Sequence, residues 1–117
     1  MSIRHISTRA VTEAVEELCI RANTQLPPDV KAALDAAQAS EPWPLAKQTL
    51  GLLQQNLCAA ADRDLPICQD TGMACVFVEL GREACVDGDQ QAAVDEGVHR
   101  RYDKGYLRNT NTAPPLK

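Results

Sequence analysis

The sequence of 117 residues has few aromatic side chains, no long apolar run and no excess of positive charge. One Trp, two Tyr and one Phe amount to 3% of the chain, so its apolar residues are mostly small or aliphatic and each buries little area. No stretch approaches the roughly 18 apolar residues that a membrane span requires, and MSIRHISTR lacks the apolar segment of a signal peptide. We therefore expect one cytoplasmic domain with a thin core and no membrane partner.

Charge and cysteine spacing argue against further classes of protein. Sixteen acidic residues against twelve basic ones give a net charge of −4, which repels the phosphate backbone of nucleic acids. The chain has five cysteines, an odd number that argues against a framework of disulfides. No two of them form a C-x-x-C motif, and neither His5 nor His99 lies at zinc-ligand spacing from a pair of cysteines. We expect no nucleic-acid partner, no disulfide framework and no self-contained zinc site.

Apolar residues recur at helical spacing in three segments of the first half of the chain. The first runs from Val11 to Ala22, the second begins at Pro28, and the third runs from Leu45 to Asp62. Proline suits the first turn of the second segment, because its missing N–H has no partner there in any case. The sequence therefore predicts three consecutive helices.

Residues 73–80 are apolar on both faces apart from Glu79, which is typical of a strand buried between layers. A short strand at residues 84–86 and a helix capped by Asp89 are predicted to follow. One or two strands cannot form a sheet that is stable alone. The predicted fold class is therefore mixed α/β (α+β), with N-terminal helices, a buried strand and a further helix. Residues outside this chain, or another chain, would complete the sheet.

The loop before that predicted strand, LPICQDTG at residues 65–72, concentrates reactive groups. Cys68 offers a thiolate, Gln69 a donor and an acceptor, and Asp70 a base or an orienting carboxylate. Composition alone favours a structural interpretation, in which Asp-Thr-Gly at residues 70–72 forms an ordinary turn and Cys68 is a packed apolar side chain. An aspartic-protease Asp-Thr-Gly turn is disfavoured, because such proteases are almost wholly β and have apolar residues where Cys68 and Gln69 stand.

The extended motif LPICQDTGMACVFVELG resembles the signature of the class I, iron–sulfur fumarate hydratases and tartrate dehydratases. Downstream, GVHRRYDKGYLRNTNTAPPL at residues 97–116 is similar to a Gly-Val, Tyr, Leu-Arg and Pro-Leu pattern of the same family's N-terminal region. The resemblance implies that residues 1–117 are a partial N-terminal domain of a hydro-lyase, inactive alone, that hydrates fumarate to malate when complete. A tartrate dehydratase α subunit producing oxaloacetate, and a non-catalytic truncated module, are the alternatives.

The resemblance also implies roles for individual residues. Cys68 would be one of three cysteines that hold a 4Fe-4S cluster with one iron open to substrate. Gln69 would bind the substrate, and Asp70 would bind it and either orient or deprotonate the general base. Arg108 would hold a substrate carboxylate with its planar guanidinium. The other four cysteines match no cluster ligand, so the remaining two ligands would lie outside this chain.

The resemblance further implies partners that the chain would need. These are a small dicarboxylate substrate and either the remainder of the enzyme or a β subunit, in a homodimer or heterotetramer. The basic residues that precede Arg108 have a different interpretation. Arg100, Arg101 and Lys104 are expected to form a solvated helix face, as most runs of charge do.

Overall fold

The described part of the chain forms four helices and two short strands. The computed structural model describes residues 2–71, 73–104 and 107, without the side chains of Tyr102 and Asp103. In chain order the elements of these residues are β1 (Arg4–Ser7), α1 (Thr8–Thr24), α2 (Pro28–Ser40), α3 (Pro44–Arg63), β2 (Ala84–Asp87) and α4 (Gln90–Lys104). The predicted mixed α/β class is confirmed, with helices predominating. Within the described residues, no helix combines the length and the apolar character that crossing a membrane requires.

The helices begin and end where local chemistry favours it. The Ser7 hydroxyl accepts a hydrogen bond from the Ala10 N–H at 3.1 Å and so caps α1. Proline occupies the first turn of both α2 and α3. The predicted cap of α4 is confirmed, since the Asp89 carboxylate accepts from the Ala92 N–H at 3.0 Å. Asp64 ends α3 by adopting the left-handed conformation with φ 51°.

The main core lies between α1 and α4. Ala93, Gly97 and Arg101 recur every fourth residue on α4 and are all buried. A Cβ at Gly97 would lie 2.7 Å from the Thr12 carbonyl oxygen, so the glycine permits close approach of the two helices. The Thr12 hydroxyl also donates to the Ala93 carbonyl at 2.8 Å. The expectation that Arg101 is solvated is therefore wrong: it is 1% exposed, because helical spacing aligns it with Ala93 and Gly97.

Ion pairs join α1 to α4 beside this core. Glu16 is 8% exposed, and its carboxylate forms an ion pair with the Lys104 ammonium at 2.8 Å. Arg100 lies 4.0 Å from the same carboxylate and also donates to Glu96 at 2.8 Å. The second contact lowers the pKa of Glu96 below its usual value and raises that of Arg100, because the hydrogen bond favours both charged forms. Arg100 and Lys104 thus stay at the surface, paired with acidic side chains.

The strands β1 and β2 form a two-stranded parallel sheet. The paired residues are Arg4 with Ala84, His5 with Cys85, Ile6 with Val86, and Ser7 with Asp87. The strand predicted at residues 84–86 is confirmed and extends to Asp87. The pattern did not predict β1, because four residues that include a single large apolar side chain, Ile6, have no detectable alternation.

The buried strand predicted over residues 73–80 is not found. No strand is assigned there, and the exposed fractions reach 78% at Met73 and 96% at Phe77. Apolar residues on both faces favour a strand only where neighbouring strands and covering layers exist. Within the described part of the chain, β1 and β2 pair only with each other. Residues 73–80 are therefore an exposed apolar segment.

The helices α2 and α3 pack on each other and add little to the core. Every residue of both helices is described; none is buried in α2, and in α3 only Ala60 is buried. In the described residues, burial is therefore concentrated at the contact between α1 and α4.

Candidate active-site loop

The loop that follows α3 is held by backbone hydrogen bonds just before Cys68. The Ile67 N–H donates to the Asn23 carbonyl at the end of α1, at 2.8 Å. The Ile67 carbonyl accepts from the Asn56 side-chain amide of α3, also at 2.8 Å. Leu65 is tied back to α3 as well, because its N–H donates to the Ala60 carbonyl at 3.0 Å. Two helices therefore fix the backbone that leads into the motif.

The structure brings three of the predicted site residues together around one sulfur atom. Cys68, Gln69 and Asp70 are all exposed. The Asp70 N–H donates to the Cys68 sulfur at 3.5 Å, and the Cys68 thiol donates to the Gln69 side-chain oxygen at 3.6 Å. The loop thus offers an accessible sulfur with a backbone donor already directed at it.

The other predicted site residue is not described. Arg108 lies outside the described residues, as does Gly72 of the motif, so the role of Arg108 stays a prediction. Two neighbours of these positions are described and buried: Thr71 is 4% exposed and Leu107 is 5% exposed. The polar stretch Cys68–Asp70 is therefore followed at once by a buried residue.

A groove with a volume of ≈ 390 Å³ separates α1 from the residues that follow the motif. Its lining includes Val15 of α1, Met73 and Phe77 of the exposed apolar segment, and Arg101 of α4. Arg101 thus lines the groove although the residue is only 1% exposed. The sequence reasoning missed its burial. Its alignment with the small residues Ala93 and Gly97 of α4 was the available signal.

The described residues contain one group of three metal-ligating side chains, His5, Cys85 and Asp87. Cys68 belongs to no such group in this part of the chain. As a cluster ligand, Cys68 fits in one respect, since its sulfur is exposed and accepts a backbone hydrogen bond. It supplies a single thiolate, and the other ligands of an iron–sulfur cluster must come from elsewhere.

Comparison with known proteins identifies the class. Residues 12–117 match the family model described as Fumarate hydratase (Fumerase). The chain therefore belongs to the fumarate hydratase (Fumerase) family, and the resemblance read from LPICQDTGMACVFVELG is confirmed. No solved structure matches the chain.

Two curated relatives carry the name of a tartrate dehydratase subunit. The chain is 38% identical over 108 residues to a provisionally named L(+)-tartrate dehydratase subunit alpha of Methanocaldococcus jannaschii, covering 91% of this chain and 38% of that protein. It is 28% identical over 99 residues to the L(+)-tartrate dehydratase subunit alpha of Escherichia coli K12, covering 85% of this chain and 33% of that protein. The chain thus spans about a third of the length of these relatives.

Proposed function

We propose that this chain is the N-terminal part of an iron–sulfur hydro-lyase that hydrates fumarate to malate in the cytoplasm. The observation that carries the proposal is the arrangement of Cys68, Gln69 and Asp70 around one accessible sulfur, in a chain of the fumarate hydratase family. A second candidate is the dehydration of tartrate to oxaloacetate by an α subunit that acts with a β subunit. The names of the two relatives favour this alternative.

Cys68 is proposed as one thiolate ligand of a 4Fe-4S cluster. Its sulfur is open to solvent and accepts the Asp70 N–H at 3.5 Å. Hydrogen bonds to cysteine sulfurs are among the factors that tune the potential of such clusters. When bound, the cluster supplies a Lewis-acidic iron that polarises the hydroxyl group to be added or lost. The remaining ligands come from residues outside the described part of the chain.

Ligation of Cys68 changes what its neighbours can do. As an iron ligand, Cys68 would be a thiolate and would no longer donate to the Gln69 oxygen 3.6 Å away. That oxygen is then available to accept a hydrogen bond from a substrate hydroxyl. The exposed Asp70 carboxylate orients or deprotonates the general base, which must lie within hydrogen-bond reach of the proton it removes. Arg108 binds a substrate carboxylate.

The complete enzyme is proposed to cover the exposed apolar segment, residues 73–80. Phe77 is 96% exposed and Met73 is 78% exposed, and contiguous exposed apolar side chains of this size usually mark an interface with another protein segment. The chain also accounts for only 38% and 33% of the lengths of its two relatives. The remainder of the enzyme or a β subunit therefore buries this segment, in a homodimer or heterotetramer.

The test uses the full-length protein, purified without oxygen and assayed with fumarate and with L-tartrate. We expect Cys68→Ser to abolish both iron–sulfur absorbance and activity, because the cluster loses a ligand. Cys58→Ser is the matched control, since Cys58 is an exposed cysteine on α3 outside the motif, and it should keep both. A full cluster in the Cys68→Ser protein would overturn the ligand assignment, and activity on neither substrate would overturn the function. The ratio of kcat/KM values decides between the two substrates.

A further inference from the structure

We propose that His5, Cys85 and Asp87 form a binding site for a divalent transition-metal ion of the zinc type, which links β1 to β2. The three side chains share one face of the two-stranded sheet. His5 is the direct cross-strand partner of Cys85, and Asp87 lies two residues farther along β2. Because side chains alternate along a strand, Cys85 and Asp87 project on the same side. The parallel register therefore brings together an imidazole, a thiol and a carboxylate.

The distances between the potential ligand atoms suit one small ion. His5 Nδ1 lies 2.7 Å from Asp87 Oδ1 and 3.4 Å from Cys85 Sγ, and Sγ lies 3.8 Å from Oδ1. Tetrahedral zinc, with its usual bond lengths to nitrogen, oxygen and sulfur, separates such ligand atoms by about 3.3–3.6 Å. The sulfur already stands near these separations from its two neighbours. Only the nitrogen and oxygen must move apart, by about half an ångström on the same bond lengths.

The chemistry of the three donors also selects the ion. A thiolate together with an imidazole suits zinc and similar borderline-soft metals, whereas calcium and magnesium prefer oxygen alone. Binding through Nδ1 leaves the single proton of the neutral His5 ring on Nε2, and the Cys85 thiol releases its proton to solvent as the thiolate ligates the ion. The resulting thiolate and carboxylate balance the two positive charges of the ion. The His5 and Asp87 side chains are 64% and 54% exposed, so the ion has a path of entry and a fourth position stays open to water.

Such an ion would stabilise a part of the fold that is weak without it. A two-stranded sheet of four residues per strand is marginal on its own. Its strands are separated by the whole helical region α1 to α3. The proposal departs from the expectation of no self-contained zinc site. That expectation rested on ligands close together in the chain, whereas His5 and Cys85 are 80 residues apart. The site shares no residue with the Cys68 loop.

The experiment titrates Zn²⁺ into the full-length protein, purified without a metal-affinity tag, and follows binding by calorimetry. We expect Cys85→Ser and His5→Asn each to weaken binding by at least about 10-fold, the lower end of what loss of an outer-shell partner alone costs. Cys58→Ser and His99→Asn are the matched controls, since both residues are exposed and outside the group, and they should bind as the parent does. Far-UV circular dichroism checks that each variant folds.

A second readout does not depend on variants. X-ray absorption at the zinc edge should show one sulfur at about 2.3 Å together with nitrogen and oxygen ligands. The proposal is overturned by a zinc shell without sulfur. It is equally overturned if Cys85→Ser and His5→Asn bind Zn²⁺ as tightly as the controls. Neither result would bear on the hydro-lyase proposal, which concerns Cys68.

Discussion

The contact of α1 with α4 at Gly97 makes a quantitative prediction for the substitution Gly97→Ala. The added Cβ would lie 2.7 Å from the Thr12 carbonyl oxygen, 2.7 Å from Val15 Cβ and 2.9 Å from Val15 Cγ1. Two of these three atoms belong to the backbone or to the root of a side chain, so no rotamer change relieves the overlap. The helices must separate, and the interface that buries Ala93 and Arg101 must open with them.

Two opposing effects set the size of the change in the free energy of unfolding. Alanine is favoured over glycine inside a helix by about 1 kcal/mol. Overpacking a close-packed interface costs about 1–3 kcal/mol, and here the overlap with backbone places the cost at the upper end. We therefore expect Gly97→Ala to lower the free energy of unfolding by about 1–2 kcal/mol. Urea unfolding followed by far-UV circular dichroism measures this difference.

Gly51→Ala is the matched control, because Gly51 is also inside a helix. The nearest atom to its added Cβ is Gln38 Nε2 at 2.8 Å, the far end of a flexible side chain that can turn away. The propensity term then acts almost alone, and Gly51→Ala should stabilise the protein by up to about 1 kcal/mol. Opposite signs for the two variants support the interface as described. A Gly97→Ala protein as stable as the Gly51→Ala protein would refute it.

Two further predictions concern the site and the exposed segment in the full-length protein. Asp70→Asn should lower kcat by about 10²–10⁴-fold, the usual effect of losing acid–base chemistry, while iron–sulfur absorbance persists because the Asp70 backbone N–H remains. Asp62→Asn, at an exposed position on α3, is the control and should leave kcat unchanged. Loss of the absorbance in Asp70→Asn would contradict the division of roles between the Asp70 carboxylate, which acts in acid–base chemistry, and its backbone N–H, which contacts the sulfur. Phe77→Ser should lower the unfolding free energy by about 3 kcal/mol if the complete enzyme buries this side chain. A change within about 0.5 kcal/mol, typical of surface positions, would show that Phe77 stays exposed.

The helices and the Cys68 motif could be predicted from the sequence because their causes are local. Apolar spacing, a proline in the first turn of α2 and the carboxylate of Asp89 act over a few residues, and the observed helices agree with them. The motif around Cys68 is contiguous, so its residue types were readable without a fold. Family membership followed from the same stretch.

Contacts between distant segments decided what the sequence did not. Residues 73–80 have the composition of a buried strand, but a strand needs a neighbour, and in the described residues β1 pairs with β2 instead. Arg101 looked like one charge among several, yet its packing against α1 buries it.

The sequence by itself therefore determined the helical segments and the chemistry of the Cys68–Asp70 loop, since each depends on neighbours within a few positions. It also indicated the mixed α/β class, although the strands that form the sheet are β1 and β2 and not residues 73–80. Only the tertiary structure decided that Asp70 directs its N–H at the Cys68 sulfur and that His5 stands beside Cys85. The physical reason is that these relations depend on backbone direction and strand register. Both are set by packing between segments that lie far apart in the chain.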